Sequence, residues 1–326
     1  MPARKRKFFL ISCMAFTCMG FVQLKAQTDP KALNSGLEEI RNSPLTSAHV
    51  RCKPYLIARL PGIINETSGL IFISGQLWTI NDGGNPPNLF QIDTATGKIL
   101  QKHTVANAVN TDWESITQDD SNVYIGDFGN NYGNRKDLRI LKITKNDLTN
   151  HPTDTLAASY IYFSYPDQND FRYALNKNNF DCEAFFCYND SLHLFTKDWL
   201  DLKTRHYSIP TKPGSYQASY IEQFQADGLI TDASINEHGK IVLLGYKNTG
   251  GRFWNCFCWL LAGYSDDHFF DGEATRVELG SALYLGQSEG IVLNADKTAW
   301  LSSESIRMGC MQRPAKLFGI NLSKYF

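Results

Sequence analysis

The sequence predicts an all-β chain, and within that class a β-propeller of five blades. Two observations carry this. An acidic turn-and-strand signature returns five times, as Glu66-Thr67-Ser68-Gly69-Leu70, Asp112-Trp113-Glu114-Ser115-Ile116, Asp181-Cys182-Glu183-Ala184-Phe185, Thr231-Asp232-Ala233-Ser234-Ile235 and Ser288-Glu289-Gly290-Ile291-Val292. Between the copies run short, aromatic-rich β segments punctuated by Gly, Asn, Asp and Pro, with little helical periodicity. The acids of successive copies lie 48, 69, 49 and 57 residues apart, each gap enough for one four-stranded unit and its loops.

The chain begins with a basic cluster, Arg4 to Lys7, then the apolar run Phe8 to Leu24 and Ala26 before Gln27. That order reads as a signal peptide over residues 1–26, so the protein is expected to be exported, to the periplasm rather than the medium. Residues 27–47 read as a polar lead-in, and 48–326 as one propeller domain. Without the leader, 27 basic residues face 33 acidic ones, a charge of about −6. Nucleic acid is therefore not an expected partner, because phosphate recognition needs a basic stripe. No later apolar run is long enough to span a membrane, and a monomer is expected. Of the six cysteines after the leader, only Cys52 and Cys310 read as a pair worth testing. Cys256 and Cys258 share one face of a strand, a poor geometry for a bond between them.

Each signature opens a first strand, and a second strand follows at once. The predicted units begin with Gly69 to Ser74, Ser115 to Gln118, Ala184 to Tyr188, Ile230 to Asn236 and Gly290 to Asn294. The last unit runs out of chain one strand short. The run Val50 to Arg59 supplies that strand and closes the ring, which removes two open sheet edges. The polar stretch 166–179 lies in the longest gap and reads as a loop; part of a sixth blade is the alternative there.

In such a blade the first strand starts, and the second ends, at the same mouth of the central channel. The second strands end near Asp82, Asp127, Asp198 and Glu304, while Tyr246 takes the place of the acid in the fourth unit. Nine carboxylates are thus expected at one mouth: Glu66, Glu114, Glu183, Asp232 and Glu289 as candidate metal ligands, and Asp82, Asp127, Asp198 and Glu304 as candidate ligand-binding groups. Like charges so close must take up protons, pair with cations or hold a metal. Lys197, Lys247, Arg135 and Arg307 are the nearby cations, and Lys197 is also a candidate ligand-binding group. An oxygen-rich, histidine-poor donor set suits Ca²⁺ rather than a softer metal. Trp113 flanks a ring acid and could stack on a flat ligand, or pack between blades. The plain alternative is that these acids accept backbone hydrogen bonds and fix neighbouring blades.

The strings Leu77-Trp78-Thr79-Ile80-Asn81-Asp82-Gly83-Gly84, Asp112-Trp113-Glu114-Ser115-Ile116, Tyr124-Ile125-Gly126-Asp127-Phe128-Gly129-Asn130-Asn131 and Leu194-Phe195-Thr196-Lys197-Asp198 resemble a family of exported bacterial propeller proteins. More distantly the pattern looks like the regucalcin-type lactonases and phytase-like esterases. That likeness implies Ca²⁺ at Glu66, Glu114, Asp232 and Glu289, and hydrolysis of a lactone or ester with Glu114 as general base. The chain departs from those groups in lacking a dense basic cluster for a polyphosphate. Three functional classes therefore stand: cation or small-ligand binding at an acidic mouth, a Ca-dependent hydrolase, and a protein-interaction scaffold.

Overall fold

Five antiparallel sheets, each a four-strand meander, stand around a central axis in the computed structural model. It describes residues 50–150, 154–248, 250, 254–308 and 311–326. The expected signal peptide, the lead-in and the pairing of Cys52 with Cys310 lie outside the described residues, as does the Arg307 side chain. Among the described residues no helix is long and apolar enough to cross a membrane.

Blade 1 is built from Thr67–Ile73, Gln76–Asn81, Asn88–Ile92 and Ile99–Val105. Blade 2 is Trp113–Gln118, Asn122–Asp127, Arg139–Thr144 and Ser159–Ser164. Blade 3 is Cys182–Tyr188, Ser191–Thr196, Thr204–Pro210 and Ser219–Phe224. Blade 4 is Leu229–Ile235, Ile241–Lys247, Asn255–Ala262 and Glu273–Ser281. Blade 5 is Ser288–Leu293, Thr298–Ser303, Lys316–Asn321 and, from the other end of the chain, Tyr55–Arg59. First strands touch in ring order, and the fifth touches the first. The ring is closed with five blades. Residues 166–179 hold no strand, so the long gap adds a loop and not a blade.

The closing strand is shorter than expected. Val50–Arg51 pairs in parallel with the outer strand of blade 4, and only Tyr55–Arg59 completes blade 5. Pro54 separates the two because it has no N–H to give to a ladder. The outer strands of blades 1 and 2 gain similar parallel covers, Thr155–Leu156 and Gly214–Gln217. The sequence does not announce these; each leaves fewer unpaired groups on an edge.

The core is divided among the blade interfaces. Five clusters of buried apolar side chains lie between neighbouring blades. Alternation along each strand sends one set of side chains toward the blade before and the other toward the blade after. Leu194 and Phe195 show this: Leu194 packs with Tyr124 and Ile140 of blade 2, Phe195 with Ile230 and Phe257 of blade 4. Cys256 and Cys258 are both buried against blade 5, on one strand face.

Candidate functional site

All five first strands carry a bulge at the signature. The pairs Thr67↔Asn81, Trp113↔Asp127, Cys182↔Thr196, Ile230↔Gly245 and Ser288↔Ser303 occupy one equivalent place in the five blades. Counting from them gives three rings of residues. Glu66, Asp112 and Asp181 stand before the bulge, with Leu229 and Gln287. Glu114, Glu183 and Glu289 stand next to it, with Ser68 and Thr231. Asp82, Lys197, Tyr246 and Glu304 leave the second strands, with Phe128.

This register decides which acids meet. Glu304 has Asp82, Glu289 and Glu66 as its main charged neighbours, and Glu183 has Lys197, Asp181, Glu289 and Asp82. Asp82, Asp112 and Glu114 bring carboxylate oxygens within 4.8 Å of one another. Six of the nine expected carboxylates therefore gather at the mouth: Glu66, Asp82, Glu114, Glu183, Glu289 and Glu304.

The other three point elsewhere. Asp127 sits one residue before the second-strand ring position, and a one-residue slip turns a side chain to the other face. Its carboxylate is closed to solvent between Arg135 at 3.2 Å and Arg139 at 2.7 Å, and it accepts the Asp112 N–H. Asp198 sits one residue beyond that position and pairs with Arg205 and Thr196 Oγ1. Burial pushes its carboxyl up to about 8. Asp232 is one residue past the first-strand ring. It reaches across the channel to blade 2, accepting from Ser115 Oγ at 2.6 Å, and takes the Ile291 N–H at 2.7 Å. Trp113 is wholly buried in the cluster between blades 1 and 2. No ligand could stack on it there.

The mouth has two electrostatic halves. In one, Lys197 Nζ lies 3.2 Å from Glu183 Oε1 and over the rings of Trp199 and Tyr246. Burial alone would lower the Lys197 pKa, but Glu183, Tyr246 and Glu289 hold it well above its ordinary value. Burial raises the carboxyls of Glu183, Glu289 and Glu304, and one ammonium cannot offset all of them. Asp181 is a structural joint. It accepts from Asn130 N, Asn131 Nδ2 and Trp199 Nε1 at 2.5, 2.6 and 2.8 Å.

The other half holds Asp82, Asp112 and Glu114. Asn110 sets it up: Nδ2 donates to the carbonyls of Asn81 and Asp82, each at 3.0 Å, and Oδ1 accepts the Trp113 N–H at 3.0 Å. That ties the end of blade 1's second strand to the start of blade 2's first. Phe128 and Gly129 donate their N–H groups to the Asp112 carbonyl. Two glycines make the room. A Cβ on Gly129 would lie 2.1 Å from Glu114 Oε1 and 2.6 Å from Asp112 Oδ2; one on Gly83 would lie 2.3 Å from Asp112 Oδ1. Asn85 adds an amide at the rim, 2.6 Å from Glu66 Oε2.

Asp112, Gly83 and Gly129 are the members that strand-wise reading of the sequence leaves unassigned. Aligning the copies on Thr67, Trp113 and Cys182, instead of on the acids, puts Glu66, Asp112 and Asp181 in one column and exposes the first of them.

The chain matches no protein-family model and no curated protein sequence. Solved structures similar to it include an α-L-arabinofuranosidase from Podospora anserina in complex with cellotriose, at TM-score 0.43 and 11% identity over 84% of this chain and 98% of that one. An α-L-arabinanase from Penicillium chrysogenum complexed with arabinobiose aligns at TM-score 0.44 and 9% identity, over 77% and 79%. A β-1,3-galactosidase with galactodeoxynojirimycin aligns at TM-score 0.45 and 8% identity, over 78% and 90%. Likenesses this distant carry no argument about activity; the fold rests on the sheet topology above.

Proposed function

We propose that this is an exported propeller whose channel mouth holds one hard divalent cation, Ca²⁺ being the simplest choice, between Asp82, Asp112 and Glu114. The observation that carries the reading is the approach of these three carboxylates within 4.8 Å of one another. The Asp112 side chain lies against Gly83 and, with Glu114, against Gly129, where a larger residue would clash with them. The donor set is all oxygen, which suits Ca²⁺ and not a thiolate- or imidazole-seeking metal. Three carboxylates this close repel one another when ionised, and a bound cation offsets that repulsion. The remaining ring acids, Glu66, Glu289 and Glu304, would then face whatever the ion helps to bind.

Calorimetric titration with Ca²⁺ tests this directly. The wild type should bind one ion, and Asp112→Asn or Glu114→Gln should weaken it at least tenfold. No heat and no terbium luminescence from the wild type would end the cation reading.

A Ca-dependent lactone or ester hydrolase is the second reading. Its support is that burial raises the Glu289 and Glu304 carboxyls, Glu304 lying beside Asp82, the direction a general acid or base at neutral pH needs. In that reading Glu289 or Glu304 serves as the base, and Glu114 holds the ion. Turnover of a lactone and ester panel, lost in Glu289→Gln or Glu304→Gln with Ca²⁺ binding intact, would support it; no turnover would leave the binding role alone.

A further inference from the structure

Three histidines that the sequence scatters come together away from the mouth. His193 and His206 lie on the second and third strands of blade 3, both buried under Phe269 of blade 4. Glu222, on the fourth strand of blade 3, stands directly beside His206 in the ladder. His268 comes from residues 263–272, which join the third and fourth strands of blade 4. Strand direction puts that connection on the face opposite the mouth. The Phe270 N–H, 3.2 Å from Glu222 Oε1, ties it to blade 3.

Hydrogen bonds fix which ring nitrogens carry protons. His193 Nε2 lies 3.2 Å from the Tyr188 carbonyl, which can only accept, so this nitrogen carries the hydrogen. Burial lowers His206 to about 3 and His193 to about 4, so at pH 7 each ring is neutral and has one bare nitrogen. In His193 that is Nδ1. It stands 2.9 Å from His206 Nε2, which therefore donates. The His206 lone pair is left on Nδ1, and it faces Glu222 Oε1 at 3.4 Å. His268 Nδ1 stands 3.8 Å from the other carboxyl oxygen. A buried lone pair that faces a carboxyl needs a proton or a cation between them. Burial raises the Glu222 carboxyl to about 7, so a proton can serve. The spacing suits a metal as well.

We propose that His206 Nδ1, Glu222 and His268 form a zinc site between blades 3 and 4, separate from the mouth. The ligand atoms of a tetrahedral Zn²⁺ stand about 3.3 Å apart, given metal bonds of about 2.0–2.1 Å. His206 and Glu222 already stand so. His206 is oriented as zinc-ligating imidazoles are, by giving its other N–H to a fixed partner behind it. Asp267 adds negative charge near both buried rings. Among the described residues only Asp82, Asp112 and Glu114 hold three ligand atoms within 4.8 Å, so the new site closes when the His268 ring turns inward. That side chain is 55% exposed and free to turn. Water takes the fourth position, and binding displaces the Glu222 proton. Two imidazoles and one carboxylate favour Zn²⁺ over Ca²⁺. This goes beyond the cation reading: the residues, the face of the ring and the metal are all different.

The test is a Zn²⁺ titration of the untagged protein against a chromophoric chelator, in excess Ca²⁺. The wild type should take up one Zn²⁺ with a micromolar or tighter Kd. Co²⁺ in its place should show the visible absorption of a tetrahedral site. His268→Ala should weaken Zn²⁺ at least tenfold and lose the Co²⁺ bands. Its side chain is mostly in solvent, so the thermal midpoint without metal should match the wild type. His206→Gln should abolish binding, while Asp112→Asn should bind Zn²⁺ as the wild type does. No wild-type binding at micromolar Zn²⁺, or equal affinity in His268→Ala, would overturn the proposal. So would a loss of Zn²⁺ in Asp112→Asn, since the ion would then sit in the mouth.

Discussion

Lys197 Nζ stands 3.2 Å from Glu183 Oε1 at a point where both side chains are all but closed to solvent. The two come from the second and first strands of the same blade, at ring positions that in other blades hold carboxylates. The ammonium is thus a built-in counter-charge for one half of an acidic mouth. Its loss should be expensive. Lys197→Met should destabilise the protein by about 3–5 kcal/mol, the usual cost of leaving a buried partner uncompensated. Urea denaturation checks this, and the double variant Lys197→Met/Glu183→Gln should recover a large part of the loss. A single variant as stable as the wild type would mean that the carboxylates are already neutral without it.

Gly129 gives a test of the cation site that touches no carboxylate. An added methyl would overlap Glu114 Oε1 and press on Asp112 Oδ2. Both are ends of flexible side chains, so the fold should yield with little loss of stability. The three-acid geometry should not survive. Gly129→Ala is expected to lower Ca²⁺ affinity more than tenfold, which is about 1.4 kcal/mol or more of binding free energy. Titration calorimetry beside a thermal melt separates the two effects.

Asp232 should behave differently from Glu114, although both belong to the repeated signature. Its two oxygens are used by Ser115 Oγ and the Ile291 N–H, and burial holds its carboxyl well above the usual range. Asp232→Ala should therefore cost stability, about 2–3 kcal/mol for two unsatisfied buried donors, and leave Ca²⁺ affinity within twofold. A large loss of affinity at unchanged stability would return Asp232 to the ion.

The buried histidines between blades 3 and 4 predict an acid-side loss of stability. Burial lowers His206 to about 3; burial and then the charge of His206 lower His193 to about 4. The unfolded chain takes up these protons near 6.5, before the folded one does. Stability from the pair is present above pH 6.5 and is lost as pH falls toward 4 and 3. His206→Gln should flatten that limb in denaturation curves taken from pH 7 to 4.

Glu222 carries the opposite sign. It accepts the Phe270 N–H at 3.2 Å and lies 3.4 Å from His206 Nδ1, and burial raises it to about 7. Its contribution is complete below the unfolded value near 4 and is lost as pH rises through 7. Glu222→Gln keeps an acceptor but cannot ionise. Relative to the wild type it should gain stability as pH rises from about 4 to about 7, with no further gain above that. A constant offset across that range would show that the carboxyl is ionised throughout.

The sequence was legible where an effect repeats. Five signatures imply five first strands, and a missing last strand implies closure by the N-terminal run. The shared mouth follows from strand direction alone. Legibility failed at single-residue register. Spacings of 16, 13, 15 and 15 between paired acids look alike, yet Asp127 and Asp198 fall to either side of the position that Asp82 and Glu304 share. Asp112 was in view throughout, but nothing local shows that Asn110 and two glycines bring it to Asp82.

By itself, then, the sequence determined the repeat, the order of its units, closure by the N-terminal run and the pole at which acids concentrate. These depend on periodicity and chain direction, which are local and repeated. That the long gap holds a loop and not a sixth blade was decided by the structure. The tertiary structure alone decided which acids meet, which are spent on Arg135, Arg139 and Arg205, and that Asp232 crosses the channel to Ser115. The physical reason is that side chains alternate along a strand, so one bulge or one residue of slip turns a carboxylate from the channel to a blade interface. Only the packed ring fixes that count.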